Sequence, residues 1–123
     1  MDMIVTPTGK LNGEIQALSS KNYTTRYLLV SALAEGTSTI LYPAHSEDGE
    51  AMRRCIRDLG AVVEEDDEKI VITGFGRNPR PTKELDVGNA GAVLRFIMSV
   101  AALLPEVHFV NSYPASLGKR PHD

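Results

Sequence analysis

The octapeptide Ser19-Ser20-Lys21-Asn22-Tyr23-Thr24-Thr25-Arg26 gathers two cations and five hydroxyl-bearing residues, with no acid among them. A helix beginning here would present backbone N–H groups, small polar side chains and positive charge to whatever approaches, which is how a phosphate or carboxylate site is built. A second stretch has the same character: Gly88-Asn89-Ala90-Gly91 precedes an apolar run and is followed by Arg95. Gly118-Lys119-Arg120 is a third cationic spot. Arginine can grip a phosphate or carboxylate through two parallel hydrogen bonds, so cations of this type suit an anionic ligand. The segment opening with Glu47, Asp48 and Glu50 is the opposite case, because its own acids answer the helix dipole and leave no room for an anion. Each cationic stretch also has a plainly structural reading. Ser and Thr cap helices, Gly-x-x-Gly turns pack closely, and a Lys-Arg pair near a terminus can simply be solvated.

Composition limits the alternatives. A chain of 123 residues, 42% hydrophobic and 24% charged, is one ordinary domain or part of one. Its formal charge of -3 argues against a general nucleic-acid surface, so positive charge matters only where it clusters. No run approaches the roughly 20 apolar residues of a membrane span, and MDMIVTPTGK has no secretory pattern, so a cytoplasmic protein without membrane contact is expected. Cys55, beside Met52 and Ile56 on an apolar helical face, reads as a core residue. His45, His108 and His122 show no metal-ligand spacing. Neither a phosphate-binding Gly-x-x-x-x-Gly-Lys-Ser/Thr loop nor a dinucleotide fingerprint is present, and no metal or cofactor is expected.

The elements that must carry these residues follow from periodicity. Helices are expected over 22 to 35, 47 to 59 and 90 to 104, with Ser46 as an N-cap and Gly36, Gly60 and Pro105 as stops. Strands are expected at 3 to 6, 13 to 18, 38 to 41, 61 to 65, 69 to 73 and 107 to 111, with a hairpin turn at Asp66-Asp67 and an exposed loop over 74 to 84. The sum is an α/β (α+β) layout with helices on one face of a mixed sheet. After VHFVN the chain runs through SYPASLGKRPHD, so its Lys-Arg pair lacks a following element; the expectation is a piece of a longer protein.

In order and spacing these segments resemble the N-terminal quarter of the enolpyruvyl transferases. "ALSSKNYTTR" is similar to the family's opening Leu-Pro-Gly-Ser-Lys-Ser-x-Ser-Asn/His-Arg, and "LLVSALAEGTSTI" to the helix and strand that follow. "SEDGEAMRRCIRDLG" resembles its Ser-Asp-Asp helix, "DVGNAGAVLRF" its Gly-Asn-Ala/Ser-Gly-Thr-x-x-Arg turn, and "SLGKRPHD" its Lys-Arg-Pro loop; together they span residues 10 to 123. The resemblance implies two domains of βαβαββ units with ligands in the cleft between. Residues 1 to 18 would be strands pairing with the second domain, and 19 to 123 a first unit and part of a second.

The implied reaction moves the enolpyruvyl group of phosphoenolpyruvate onto the 5-hydroxyl of shikimate 3-phosphate and releases phosphate. By position, Lys21 and Arg120 match residues that hold phosphoenolpyruvate, with Lys21 also catalytic through proton movement or charge stabilisation. Arg26 matches a binder of shikimate 3-phosphate, as does the serine position that Asn22 fills here. Asn89 and Gly91 match the turn whose backbone faces the phosphoenolpyruvate phosphate, while Ser20, Asp48 and Arg95 are retained supporting positions. The sequence departs from the family at Leu18-Ser19 for Pro-Gly, Thr25 for Asn/His and Ala92 for Thr. A sister branch acting on UDP-N-acetylglucosamine shares Lys21-Asn22 and a run like Arg120 to Asp123, but it commonly carries a cysteine where residues 112 to 118 have none. The other alternative is a non-catalytic anion-binding unit. The family's catalytic carboxylates lie in the C-terminal remainder, so the resemblance implies that this chain alone is inactive.

Overall fold

The computed structural model describes residues 3–111. Helix α1 (Lys21–Leu33) leads into strand β1 (Thr37–Leu41), then helix α2 (Glu47–Asp58), strands β2 (Val62–Glu65), β3 (Lys69–Thr73) and β4 (Glu84–Asp86), helix α3 (Gly91–Ala101) and strand β5 (His108–Val110). The layout is the α/β (α+β) one expected, with its strands in two sheets: an antiparallel β1-β3-β2 and a parallel β4-β5. Helix α3 is the crossover that the parallel pair requires.

The antiparallel sheet alternates as its sequence dictates. Ile40 lies opposite Ile70 and Val63 opposite Ile72, on the face covered by α1 and α2. Leu41, Val62 and Glu64 stand exposed. The β2-β3 hairpin turns at Asp66, whose Oδ1 accepts from the backbone N–H of Glu68 and of Lys69, each at 2.9 Å. Those two bonds hold the Asp66 carboxyl below the usual carboxylate range.

Helix α2 is the most regular element. Ser46 Oγ accepts from Gly49 N at 3.1 Å, and Met52, Cys55, Ile56 and Leu59 are fully buried on the expected face. Its end has the double closure of a glycine stop: Gly60, at φ +107°, donates to Arg57 O and Ala61 donates to Ile56 O. The 74 to 84 loop is pinned to the same end, because the Arg80 amide donates to Leu59 O and its guanidinium to the carbonyls of Asp58 and Arg57. That loop enters through Gly74, where a Cβ would lie 2.2 Å from Ala34 O and 2.5 Å from Ser31 O. Only glycine lets the backbone pass there.

Four expectations need correction. Residues 3 to 6 and 13 to 18 form no strands; a strand exists through its ladder, and no described segment pairs with them. The loop over 74 to 84 ends in β4, whose three residues are too short to show alternation. Helix α3 stops at Ala101 rather than at 104, its buried face being Val93, Leu94, Ile97, Val100 and Ala101. Gly36 has φ +109° but stands beyond the C-cap Ala34.

Candidate functional site

Ser20 caps α1: its Oγ accepts from Tyr23 N at 3.4 Å, and no acid occupies the first turn. This is the structural role that Ser and Thr at a helix start can take, and it leaves Lys21 and Asn22 on the exposed first turn. The Lys21 ammonium meets Asp48 Oδ2 at 2.8 Å. The acids that open α2 therefore do more than answer their own helix, since one of them reaches across to the neighbouring helix start. With Lys21 half-exposed, the pair adds little to stability and mainly fixes where the ammonium sits.

The two helix starts are tied by backbone as well. Thr24 Oγ1 accepts from Ala44 N at 2.9 Å, both residues being buried, so the 42 to 46 segment is anchored to α1. That segment, Lys21 and residues 16 to 19 line a cleft of about 650 Å³. Tyr42, on its wall, has φ +50°, a left-handed conformation costly for a bulky residue. Tyr42 and His45 were not singled out from sequence as site residues, and the only early signal was their place just before the Ser46 cap.

Arg26 points back along α1. Its Nη1 donates to Asn22 O at 2.9 Å, and its Cζ lies 5.1 Å from the centroid of the Phe96 ring. Phe96 belongs to α3, so this contact joins the two cation-bearing helices. Arg26 and Phe96 are each five residues in from the first helical residue, about 7.5 Å of rise along its axis. At the start of α3, Ala90 occupies the N-cap without a side-chain hydrogen bond, and the first turn holds no acid. Gly88 adopts φ +54° and donates to Asp86 Oδ1 at 2.8 Å; a Cβ on it would meet Arg54 Nη2 at 3.3 Å. Arg54 in turn pairs with Asp86 at 3.5 Å. Asn89 is exposed, Gly91 half-buried and Arg95 exposed.

The structure thus joins Lys21 to Asp48, Asn22 to Arg26, and α1 to α3 through Arg26 and Phe96. Lys119 and Arg120 lie outside the described residues. Cys55 is buried, donates to Asp86 O at 3.4 Å, and its thiol is pushed up to about 12, first by burial and then by Asp58, so it supplies no nucleophile. The buried Arg53 was not foreseen: its guanidinium meets Glu50 and, through Nε at 3.2 Å, Glu65, and burial lowers its pKa. The Nε contact has ion-pair distance without hydrogen-bond alignment. These contacts brace α2 against β2.

The family model described as EPSP synthase (3-phosphoshikimate 1-carboxyvinyltransferase) matches residues 5–123. A curated relative named 3-phosphoshikimate 1-carboxyvinyltransferase, from Deinococcus radiodurans, is 57% identical over 120 residues, covering 98% of this chain and 27% of the relative. Relatives of the same name from Acetivibrio thermocellus and Staphylococcus aureus are 42% and 36% identical, covering 76% and 99% of this chain and 22% and 28% of their own lengths. The chain thus spans about a quarter of the length of the curated relatives it matches. A solved structure titled EPSP synthase from Acinetobacter baumannii superposes with a TM-score of 0.71 at 27% identity, over 89% of this chain and 25% of that one. A match running from residue 5 to residue 123, on a fold shared with a solved member, shows that the chain belongs to the EPSP synthase family.

Proposed function

We propose that this chain supplies the N-terminal part of a 3-phosphoshikimate 1-carboxyvinyltransferase of the shikimate pathway, acting together with a C-terminal portion. In the net reaction the 5-hydroxyl oxygen of shikimate 3-phosphate forms a bond to C2 of phosphoenolpyruvate. The C2–O bond to phosphate breaks, and the hydroxyl proton is released. Two anionic substrates and an anionic product call for positive charge held in place before they arrive. The observation that carries the reading is the Arg26–Phe96 contact, which ties one acid-free, cation-bearing helix start to another.

In this reading Lys21 and Arg120 hold phosphoenolpyruvate, and Lys21 stabilises charge as the bond to phosphate breaks. Asp48, 2.8 Å from its ammonium, keeps it oriented. Arg26 and Asn22 take shikimate 3-phosphate. The turn at Asn89 and Gly91 faces the phosphoenolpyruvate phosphate, with Arg95 and the Ser20 cap in support. Among the described residues no helix is long and apolar enough to cross a membrane, and Cys55 is a free thiol, which fits work in the reducing cytoplasm.

The need for a C-terminal portion is supported by the exposed apolar surface. Leu28 and Ala32 of α1 are buried, yet Tyr23, Tyr27, Val30 and Leu33 on its other side are exposed, as are Met3, Ile4, Val5, Leu11, Ile15 and Leu18. Large apolar side chains exposed on a second side of a helix normally mark a surface that another element covers. We therefore expect no turnover from the 123 residues alone. The test is to combine the chain with the C-terminal portion of a close relative and follow phosphate release with phosphoenolpyruvate and shikimate 3-phosphate. Release that depends on both supports the reading. Dependence on UDP-N-acetylglucosamine instead, or no release with any acceptor, refutes it.

A further inference from the structure

We infer that Phe96 is a positioning residue for the Arg26 guanidinium, holding it by the ring face so that its N–H edges stay available to an anion. The inference rests on the reading of Arg26 as an anion contact. A long arginine side chain has many rotamers, and the single bond from Nη1 to Asn22 O leaves most of that freedom. Phe96 removes it from the other side. The ring is half-buried and packed against the core, so it is fixed, and the 5.1 Å separation is within cation–π range.

The chemistry of the partner matters. Guanidinium donors lie in the plane of the group, and a phenyl ring offers them no lone-pair acceptor, so holding the cation over the ring leaves the donors for oxygen acceptors. Of the five N–H donors only the one to Asn22 O is used among the described residues. A carboxylate at the same place would occupy some of those donors. Lys21 is held that way by Asp48, whereas Arg26 is held by a neutral ring. Because Phe96 sits on α3, the same contact also sets how far Arg26 stands from the glycine turn at the start of that helix.

The competing account is that Phe96 only fills space between helices. The full 123-residue chain, labelled with nitrogen-15, distinguishes the two through the Arg26 Nε–H resonance. In the unsubstituted chain this resonance should show a ring-current shift, and its absence overturns the inference whether or not any variant folds. Phe96→Leu keeps an apolar side chain but no ring and should abolish the shift; Phe96→Tyr should retain it. Titrating inorganic phosphate while following that resonance, Phe96→Leu should weaken the response by about two- to fivefold, the scale of an exposed cation–π contact, and Phe96→Tyr should not. Equal shifts and equal phosphate responses in the leucine and unsubstituted chains, or no phosphate response in the unsubstituted chain, overturn it. Phosphate response without turnover in the recombined enzyme would instead sink the proposed reaction and leave the role of Phe96 standing.

Discussion

Replacing Thr24 with valine removes one oxygen and tests whether the 42 to 46 segment hangs on α1. Thr24 Oγ1 accepts the Ala44 amide at 2.9 Å, with the two residues 4% and 8% exposed, so the orphaned N–H has no ready access to water. A buried donor left unsatisfied costs about 1–3 kcal/mol. The added methyl returns at most about 0.8 kcal/mol. Thr24→Val should therefore destabilise by about 1–2 kcal/mol, which lowers the urea midpoint by roughly 0.5–1 M for a slope of about 2 kcal/mol/M. The Ala44 amide should exchange roughly 5–30-fold faster, while Ile72 in the sheet centre changes only with global stability. Thr24→Ser keeps the acceptor and should retain Ala44 protection. A valine variant with an unchanged midpoint and a protected Ala44 amide would refute the claim that this hydroxyl anchors the segment.

Gly74→Ala puts a Cβ 2.2 Å from Ala34 O, so the chain must shift by about 1 Å and loosen the bonds from Gly74 N to Gly36 O and from Phe75 N to Ala32 O. Two hydrogen bonds at about 1 kcal/mol each and about 1–3 kcal/mol of overpacking give a loss of about 3–5 kcal/mol. Urea denaturation checks this, and a loss below about 1 kcal/mol would contradict it. The Cys55 thiol, raised from 9.0 to about 12, should resist alkylation at pH 8 until the chain is unfolded. Because the folded state holds that proton more tightly, its contribution to stability is full below pH 9 and is lost as pH rises from 9 towards 12. A Cys55→Ala chain with the same loss of stability across that window would assign the effect elsewhere.

How much was legible follows from the range of each interaction. Helix α2 announces itself through Ser46, a clean apolar face and Gly60, all within its own sequence. The hairpin at Asp66 is equally local. Strand β4 is not, because it exists by pairing Leu85 with Phe109, twenty-four residues on. The 13 to 18 segment reads as a strand by composition, yet nothing in the described chain offers it a ladder. In the candidate site, residue types and helix starts could be read, since caps and acid-free turns are local. The pairing of Lys21 with Asp48 and the cation–π contact of Arg26 with Phe96 could not, because both depend on how helices far apart in sequence pack. Burial of Arg53 was hidden for the same reason: its acidic partner Glu65 comes from the next strand.

Helix α2 carries none of the residues proposed to hold the substrates directly, yet it contacts both helix starts that present them. Asp48 near its head fixes the ammonium of Lys21, and Arg54, six residues or about 9 Å further along, grips Asp86 beneath the Gly88 turn. Its tail is fastened by Arg80. The helix works as a measuring rod, converting a fixed run of peptide units into a fixed spacing between the head of α1 and the turn that opens α3. On the proposed reading both ends meet phosphoenolpyruvate, so substitutions that slide this rod, even at its far end, should loosen both contacts in concert.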